Sequence, residues 1–200
     1  SRGTSLQFGL PLPRSRYSRL FLSGGLDWEK YSGRVATLAT GRCTDCLRTS
    51  LGAQMVRDTR IDLPFPTGGS LHQVGVTLNG PFGTGTATFQ RFDLEGRWYN
   101  PVARLGGGAS SVGGIKLVIG LSAKAGFVTG NAGPFFRQLF AMGGTQYGIP
   151  LRGYDEFSVT PGGYNPNAST ASVARSSFGA SYFTMTGEFG ARLAPQVYAS

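Results

Sequence analysis

The sequence RFDLEGRWY, residues 91–99, alternates between charged and apolar side chains. Neighbouring residues of a β-strand point to opposite faces, so one face would carry Phe92, Leu94, Gly96 and Trp98, and the other Arg91, Asp93, Glu95 and Arg97. A dry protein core tolerates charges on one strand only when each of them is paired. A water-filled barrel interior tolerates them readily, with the apolar face turned to lipid. The stretch therefore predicts a transmembrane β-strand.

The same period of two residues recurs along the chain. It predicts strands near residues 5–12, 17–31, 46–57, 71–80, 86–100, 115–129 and 178–193, and the start of another at 196–200. Aromatic residues near the strand ends are typical of an interfacial girdle: Tyr31, Trp98, Tyr99 and Phe127. The pattern predicts an all-β fold, a transmembrane antiparallel β-barrel. A soluble β-sandwich also alternates, but the long strands and the polar face on nearly every strand disfavour it.

The connections between these strands differ in length. Two connections are short: Tyr99-Asn100-Pro101, which follows Trp98, and Ala194-Pro195, which follows Leu193. The segment at about 130–177 is rich in Gly, Pro, Asn and Ser, and a loop of that length is rare unless it is functional or disordered. In outer-membrane barrels the long loops face outward and the short turns face the periplasm. We therefore expect an extracellular or lumenal loop at 130–177.

The composition argues against several function classes. Lys and Arg total 19 against 10 Asp and Glu, but the basic residues are scattered, so we expect no nucleic-acid partner. The sequence has one histidine, His72, and no nucleophile elbow, so we expect neither a catalytic centre nor a metal or cofactor. We interpret Asp155-Glu156 as solvated loop charges.

The two cysteines, Cys43 and Cys46, lie in the sequence GRCTDCL. A zinc site needs more ligands, and a thioredoxin-like motif needs a preceding strand and a following helix. Neither context is present in the sequence pattern. We interpret the pair as a local disulfide in a loop that faces an oxidising compartment.

Two motifs resemble those of the BamA-type outer membrane protein assembly factors, the bacterial surface antigen family of barrels. In FAMGGTQYGIPLRGY, residues 140–154, a glycine pair precedes a hydrophobic-Arg-Gly-aromatic tetrad, as in the family's sixth extracellular loop: Gly143, Gly144, Leu151, Arg152, Gly153 and Tyr154. Residues 57–69 are similar to a periplasmic turn of these barrels through Arg57, Asp58, Phe65, Pro66, Thr67 and Gly68. The order of the elements agrees too, so the resemblance covers residues 5–193.

The resemblance implies a barrel of about sixteen strands, preceded by soluble POTRA domains. Residues 1–200 would supply seven to eight of these strands, matching the sixth to the twelfth and part of the thirteenth, as an incomplete barrel without POTRA domains or the lateral seam. It also implies that the loop folds into the lumen and holds Arg152 against the inner wall. A guanidinium there needs a carboxylate, and Glu188 on the wet face of the next strand is the expected partner.

The function implied by the resemblance is non-enzymatic insertion and folding of β-barrel proteins in the bacterial outer membrane. The implied partners are outer-membrane lipids, unfolded outer-membrane proteins and, through POTRA domains, accessory lipoproteins. The alternative is a protein-translocating or passive pore: a TamA-like protein, a two-partner secretion transporter or a porin. The number of POTRA domains and the flanking sequence would discriminate between these functions.

Overall fold

The computed structural model describes residues 2–30, 45–81, 85–106, 114–133, 135–168, 173, 175–194 and 197–199. The described chain contains twelve strands: β1 (Arg2–Pro11), β2 (Ser18–Lys30), β3 (Asp45–Asp58), β4 (Gly69–Asn79), β5 (Thr88–Leu105), β6 (Ile115–Asn131), β7 (Phe140–Ala141), β8 (Val159–Thr160), β9 (Gly163–Tyr164), β10 (Phe178–Gly179), β11 (Ser181–Ala194) and β12 (Val197–Ala199). In the same residues, no helix has both the length and the apolar character needed to cross a membrane.

Eight of the described strands form one antiparallel sheet in the order β1-β2-β3-β4-β5-β6-β11-β12. Sequence neighbours are therefore also neighbours in the sheet, apart from the insertion between β6 and β11 that carries β7 to β10. The sheet is open, because β1 and β12 each pair with a single described strand. This is the antiparallel, incomplete barrel wall that the sequence predicts.

The apolar side chains of successive strands align across the sheet. The register sets Phe8 opposite Leu22, Leu22 opposite Ala53, Ala53 opposite Val76, Val76 opposite Phe92, and Phe92 opposite Phe127. Large members of this face are exposed, including Phe8 at 63% and Phe183 at 66%. A continuous exposed apolar face of this size is unfavourable in water and suits a lipid-facing barrel wall. The sheet thus confirms the predicted apolar exterior.

The opposite face carries the polar residues. Glu95 of β5 stands opposite Lys124 of β6 and accepts from Arg97, with N–O distances of 3.5 Å and 2.6 Å. Arg91 and Asp93 pair at 2.9 Å. All four charges of the 91–97 stretch are therefore compensated on the wet face, as a barrel interior requires.

Most observed strand bounds lie within three residues of the predicted ones, and two segments are assigned differently. β5 runs on to Leu105, so the prediction of a connector at Tyr99-Asn100-Pro101 was wrong. A register shift between Pro101 and Ala103 explains the continuation, since a bulge accommodates a proline that cannot donate to the ladder. Residues 178–179, expected at the start of the last long strand, instead form β10, which pairs with β7 of the loop.

The girdle prediction was wrong for Tyr99. It shares a face with Arg97 and stands opposite Gly120, on the inner side. Trp98 and Phe127 lie on the apolar face, as expected, and Tyr31 lies outside the described residues.

The strand ends form two rims. At one rim, β1, β3 and β5 end and β2, β4 and β6 begin, joined at residues 12–17 and 59–68 by short turns. We call this the short-turn rim. The opposite rim carries the insertion at residues 132–180, which we call the long loop.

Candidate functional site

The long loop packs against the inner wall through Phe140. This residue is 4% exposed, and its ring centroid lies 4.6 Å from that of Tyr182 on β11. Gly126 of β6 makes the space, because a Cβ atom there would lie 2.6 Å from Phe140 Cζ and 2.5 Å from a Tyr182 ring carbon. A glycine in the middle of a strand often marks such a close approach. The loop is thereby seated on the polar face of β6 and β11.

Arg91 of β5 provides a second attachment of the loop. Its Nη1 donates to the carbonyl oxygen of Gln138 at 2.9 Å, and its guanidinium carbon lies 4.5 Å from the centre of the Phe140 ring. The carboxylate of Asp93 accepts hydrogen bonds from Arg91 Nε and Nη2 at 2.9 Å and 3.0 Å and so fixes the orientation of the guanidinium group. A charge-assisted bond and a cation–π contact thus hold the start of the loop against the wall.

The glycine pair and the tetrad, which begins seven residues after the pair, meet in the long loop. The N–H of Gly144 donates to the Tyr154 carbonyl at 2.9 Å, and the N–H of Leu151 donates to the Gly144 carbonyl at 2.8 Å. Both glycines have positive φ, +113° at Gly143 and +66° at Gly144. The motif is therefore one closed backbone unit.

The carboxylate of Glu156 hydrogen-bonds to the backbone of this unit. It accepts the backbone N–H groups of Thr145 and Gln146, each at 2.7 Å, and of Tyr147 at 3.2 Å. These bonds, first among them that from Gln146, lower the pKa of Glu156. Glu156 is a solvent-accessible loop charge, as expected, and its carboxylate also organises the turn that follows the glycine pair.

Leu151 and Glu188 face one cavity of about 480 Å³ between the loop and the wall. Arg97, Tyr99 and Lys124 also line it from the wall, and Met142, Ile149 and Pro150 line it from the loop. The cavity is amphipathic, with an apolar loop side and a charged wall side. The structure therefore brings the tetrad's first residue and the expected lumen carboxylate to the same space.

Arg152 itself is exposed and forms no ion pair with any described residue. The pairing of Arg152 with Glu188, which is also exposed, stays a prediction. Gly153 has φ +85°, a conformation that favours glycine. Tyr154 stacks edge-on against Tyr164 at 5.7 Å between ring centroids.

At the short-turn rim, the predicted turn motif forms an ion-paired strap, residues 59–68. Asp58 holds Arg60 in a bidentate pair at 2.9 Å and 2.8 Å. Asp62 reaches Lys116 of β6 at 3.2 Å and Arg192 of β11 at 2.9 Å. The turn between β3 and β4 therefore extends across the inner face to strands that are not its neighbours in the sheet.

Other residues of the turn motif support this strap. Thr67 is 2% exposed, and its hydroxyl group donates a hydrogen bond to the carboxylate of Asp62. This hydrogen bond makes the largest contribution to the lowered pKa of Asp62. Gly68 is buried against Ile61, and Pro66 is half-buried. Phe65 and Arg57 are exposed.

Of the predicted disulfide pair, Cys46 is fully buried and disulfide-bonded. Cys43 lies outside the described residues, so the pairing of these two cysteines stays a prediction.

Sequence reasoning missed three residues of this site: Arg91, Glu156 and Asp62. Arg91 belongs to the alternating stretch, and its charge on an inner face was visible in the sequence. Its loop partner was not, because Gln138 lies 47 residues away. For Asp62 the sequence carries only the signal of a carboxylate in a proline-containing turn, and for Glu156 that of the adjacent pair Asp155-Glu156 in a glycine-rich loop.

An antiparallel sheet with an apolar outer face, a charged inner face and a long loop folded onto that inner face defines a transmembrane β-barrel protein. The profile of the Omp85 superfamily domain matches residues 1–199, and the chain belongs to this superfamily. Its members are outer-membrane barrels of protein insertion and transport.

A solved structure supports the fold. The chain is similar to the crystal structure of BamA from Haemophilus ducreyi lacking POTRA domains 1–3, with a TM-score of 0.63 and 17% identity. The match covers 98% of this chain and 37% of that one, so the chain spans less than two-fifths of the BamA chain. Among curated proteins, no sequence matches.

Proposed function

We propose that this segment belongs to a BamA-type barrel that inserts and folds β-barrel proteins in the bacterial outer membrane without enzymatic chemistry. The observation that carries the proposal is the long loop, in which the glycine pair and the tetrad form one hydrogen-bonded unit seated on the inner wall. The proposed partners are outer-membrane lipids, unfolded outer-membrane proteins and accessory lipoproteins bound through POTRA domains.

In this proposal the loop is an internal brace of the complete barrel. Leu151 already faces the cavity of Glu188, and Arg152 is the next residue in the chain. Closure of the barrel by further strands would enclose Arg152 and lower the dielectric around it, which favours an ion pair with Glu188. The brace would hold the wall in the shape that incoming strands use as a template.

The test is an Arg152→Ala variant of the complete protein in an assay of barrel insertion into liposomes. We expect insertion to fall about tenfold or more, because removal of one partner leaves the other charge poorly solvated, at about 3–5 kcal/mol if fully buried. Arg152→Lys should restore only part of the activity, since an ammonium lacks the planar fork. Arg137→Ala, which removes another exposed arginine of the long loop, is the matched control.

Two results would contradict the proposal. One is an Arg152→Ala protein that folds and inserts substrates as well as the parent. The other is a parent protein that inserts no substrate barrels but conducts ions or releases protein across planar bilayers, which would favour the transport alternative.

A further inference from the structure

Positive charge at the short-turn rim exceeds the negative charge available to neutralise it. Among the described residues the rim carries two carboxylates, Asp58 and Asp62, and eight basic residues: Arg14, Arg16, Arg19, Arg57, Arg60, Arg104, Lys116 and Arg192. Asp58 is engaged by Arg60, and Asp62 by Lys116 and Arg192. Within the described part of the chain, Arg14, Arg16, Arg19, Arg57 and Arg104 have no ion pair.

Arg57 belongs to the lipid side of the wall. Along β3 it shares a face with Leu51 and Met55, which are 44% and 48% exposed. Opposite it on β4 stands His72, whose ring centroid lies 5.3 Å from that of Trp98. Directly opposed residues in an antiparallel pair are close neighbours. Arg57, His72 and Trp98 therefore form one row at the rim end of the apolar face.

The turn before β2 adds two cations beside this row. Arg14 and Arg16 are exposed in the turn at residues 12–17. The turn has a defined backbone, since Leu12 N donates to Ser18 O at 3.1 Å and Ser15 N to Leu12 O at 3.2 Å. It is also joined to β3, because Asp58 N donates to Tyr17 O at 2.9 Å. The arginines are therefore held next to the end of the strand that carries Arg57.

Each part of this surface has a counterpart in a phospholipid. The apolar face meets acyl chains, an indole prefers the headgroup level, and guanidinium groups bind phosphate through paired N–H donors. Anionic surface charge attracts exposed arginines at that level. We propose that Arg14, Arg16, Arg57, His72 and Trp98 bind the headgroup of an anionic phospholipid in the leaflet at the short-turn rim.

The test uses the complete protein in detergent, titrated with phosphatidylglycerol or with phosphatidylcholine and followed by native mass spectrometry. The parent should retain phosphatidylglycerol in preference. The double variant Arg16→Gln with Arg57→Gln should weaken phosphatidylglycerol binding about 25-fold. Each arginine near an anionic surface contributes about a fivefold increase in affinity, and the two contributions multiply. The control, Arg19→Gln with Arg104→Gln, removes the same charge at the same rim from the inner face and should leave the preference unchanged.

Folding of each variant is checked by heat-modifiable mobility on gels, and Arg16→Lys with Arg57→Lys should keep most of the preference. The proposal is overturned by equal binding of the two phospholipids. An equal loss of phosphatidylglycerol binding in the inner-face control would also overturn it, because the effect would then depend on net charge alone. Stronger retention of lipopolysaccharide than of phosphatidylglycerol would overturn it too, because the rim would then lie in the other leaflet.

Discussion

At the residue scale, the glycine pair of the long loop is explained by the close approach of Asp155 and Glu156, which lie twelve residues further along the chain. A Cβ atom on Gly144 would lie 2.0 Å from the Glu156 carboxyl carbon, and one on Gly143 would lie 2.3 Å from the Asp155 carbonyl oxygen. Both positions also have positive φ. Either glycine therefore resists substitution for two reasons, the space that Glu156 and its neighbour occupy and the backbone conformation.

Glu156→Gln should loosen this turn. The amide keeps one acceptor oxygen and loses the charge, so the amide protons of Thr145, Gln146 and Tyr147 should exchange severalfold faster, measured as protection factors by hydrogen exchange. Asp155→Asn, which changes the neighbouring carboxylate, is the control and should have little effect. Unchanged protection in Glu156→Gln would show that the turn does not depend on the charge.

The lowered pKa of Glu156 gives this contact a defined pH dependence. Because the folded pKa lies below the unfolded value, the stabilisation is fully present above the unfolded pKa and is lost as the pH falls through the folded pKa. The protection factors of the parent should therefore fall in acid, while those of Glu156→Gln should stay flat over the same range.

At the scale of elements, the strap at residues 59–68 connects parts of the wall that the ladder does not join directly. Asp62 belongs to the β3–β4 turn, and its partners Lys116 and Arg192 lie on β6 and β11. In the sheet order, β4, β5 and β6 separate β3 from β11. A single carboxylate thus restrains the curvature of several strands at the short-turn rim.

Asp62→Asn should weaken the folded barrel by about 1–2 kcal/mol, since it removes two partly exposed ion pairs worth about 0.2–1 kcal/mol each and the charged acceptor of Thr67. Urea unfolding of the complete protein in liposomes measures the change, with Asp155→Asn as the control. The pKa of Asp62 is lowered, so the difference between parent and variant should vanish as the pH falls through that pKa. If the difference in unfolding free energy between parent and variant persists at acid pH, the destabilisation comes from packing and not from the ion pairs.

The elements were predictable from the sequence where the signal was local. The alternation over residues 91–99 and its repeats predicted which side chains share a face in the long strands. Such a prediction needs only the side-chain period of two within one strand and does not depend on the partner strand. The continuation of β5 past Pro101 was not predictable, since the bulge that accommodates the proline depends on pairing with β6.

The contacts of the loop were harder to predict for the same reason. Glu156 and Arg91 act on backbone groups 9 to 47 residues away, and no periodic pattern encodes such pairs. The tetrad was found through its resemblance to a family motif, and that resemblance located the loop without showing which wall residue holds it.

At the scale of the whole molecule, the sheet has one apolar face, one charged face and two edges, at β1 and β12, that pair with no further strand among the described residues. β1 contributes ten residues to one edge, and its apolar residues Leu6, Phe8 and Leu10 are all more than half exposed. An unpaired strand edge of this length is a template for pairing with another chain. Neither the ion pairs of the inner face nor the packing of the long loop covers it.

The 200 residues expressed alone should therefore associate through these edges and should not form a monomeric barrel. Light scattering of the segment refolded in detergent should show a broad distribution of oligomers without heat-modifiable mobility on gels. Extending the segment with the remaining barrel strands of its parent should restore a monomer, because closure removes both edges. A monodisperse, heat-resistant monomer of the segment alone would mean that the described wall closes on itself, with β1 paired to β12.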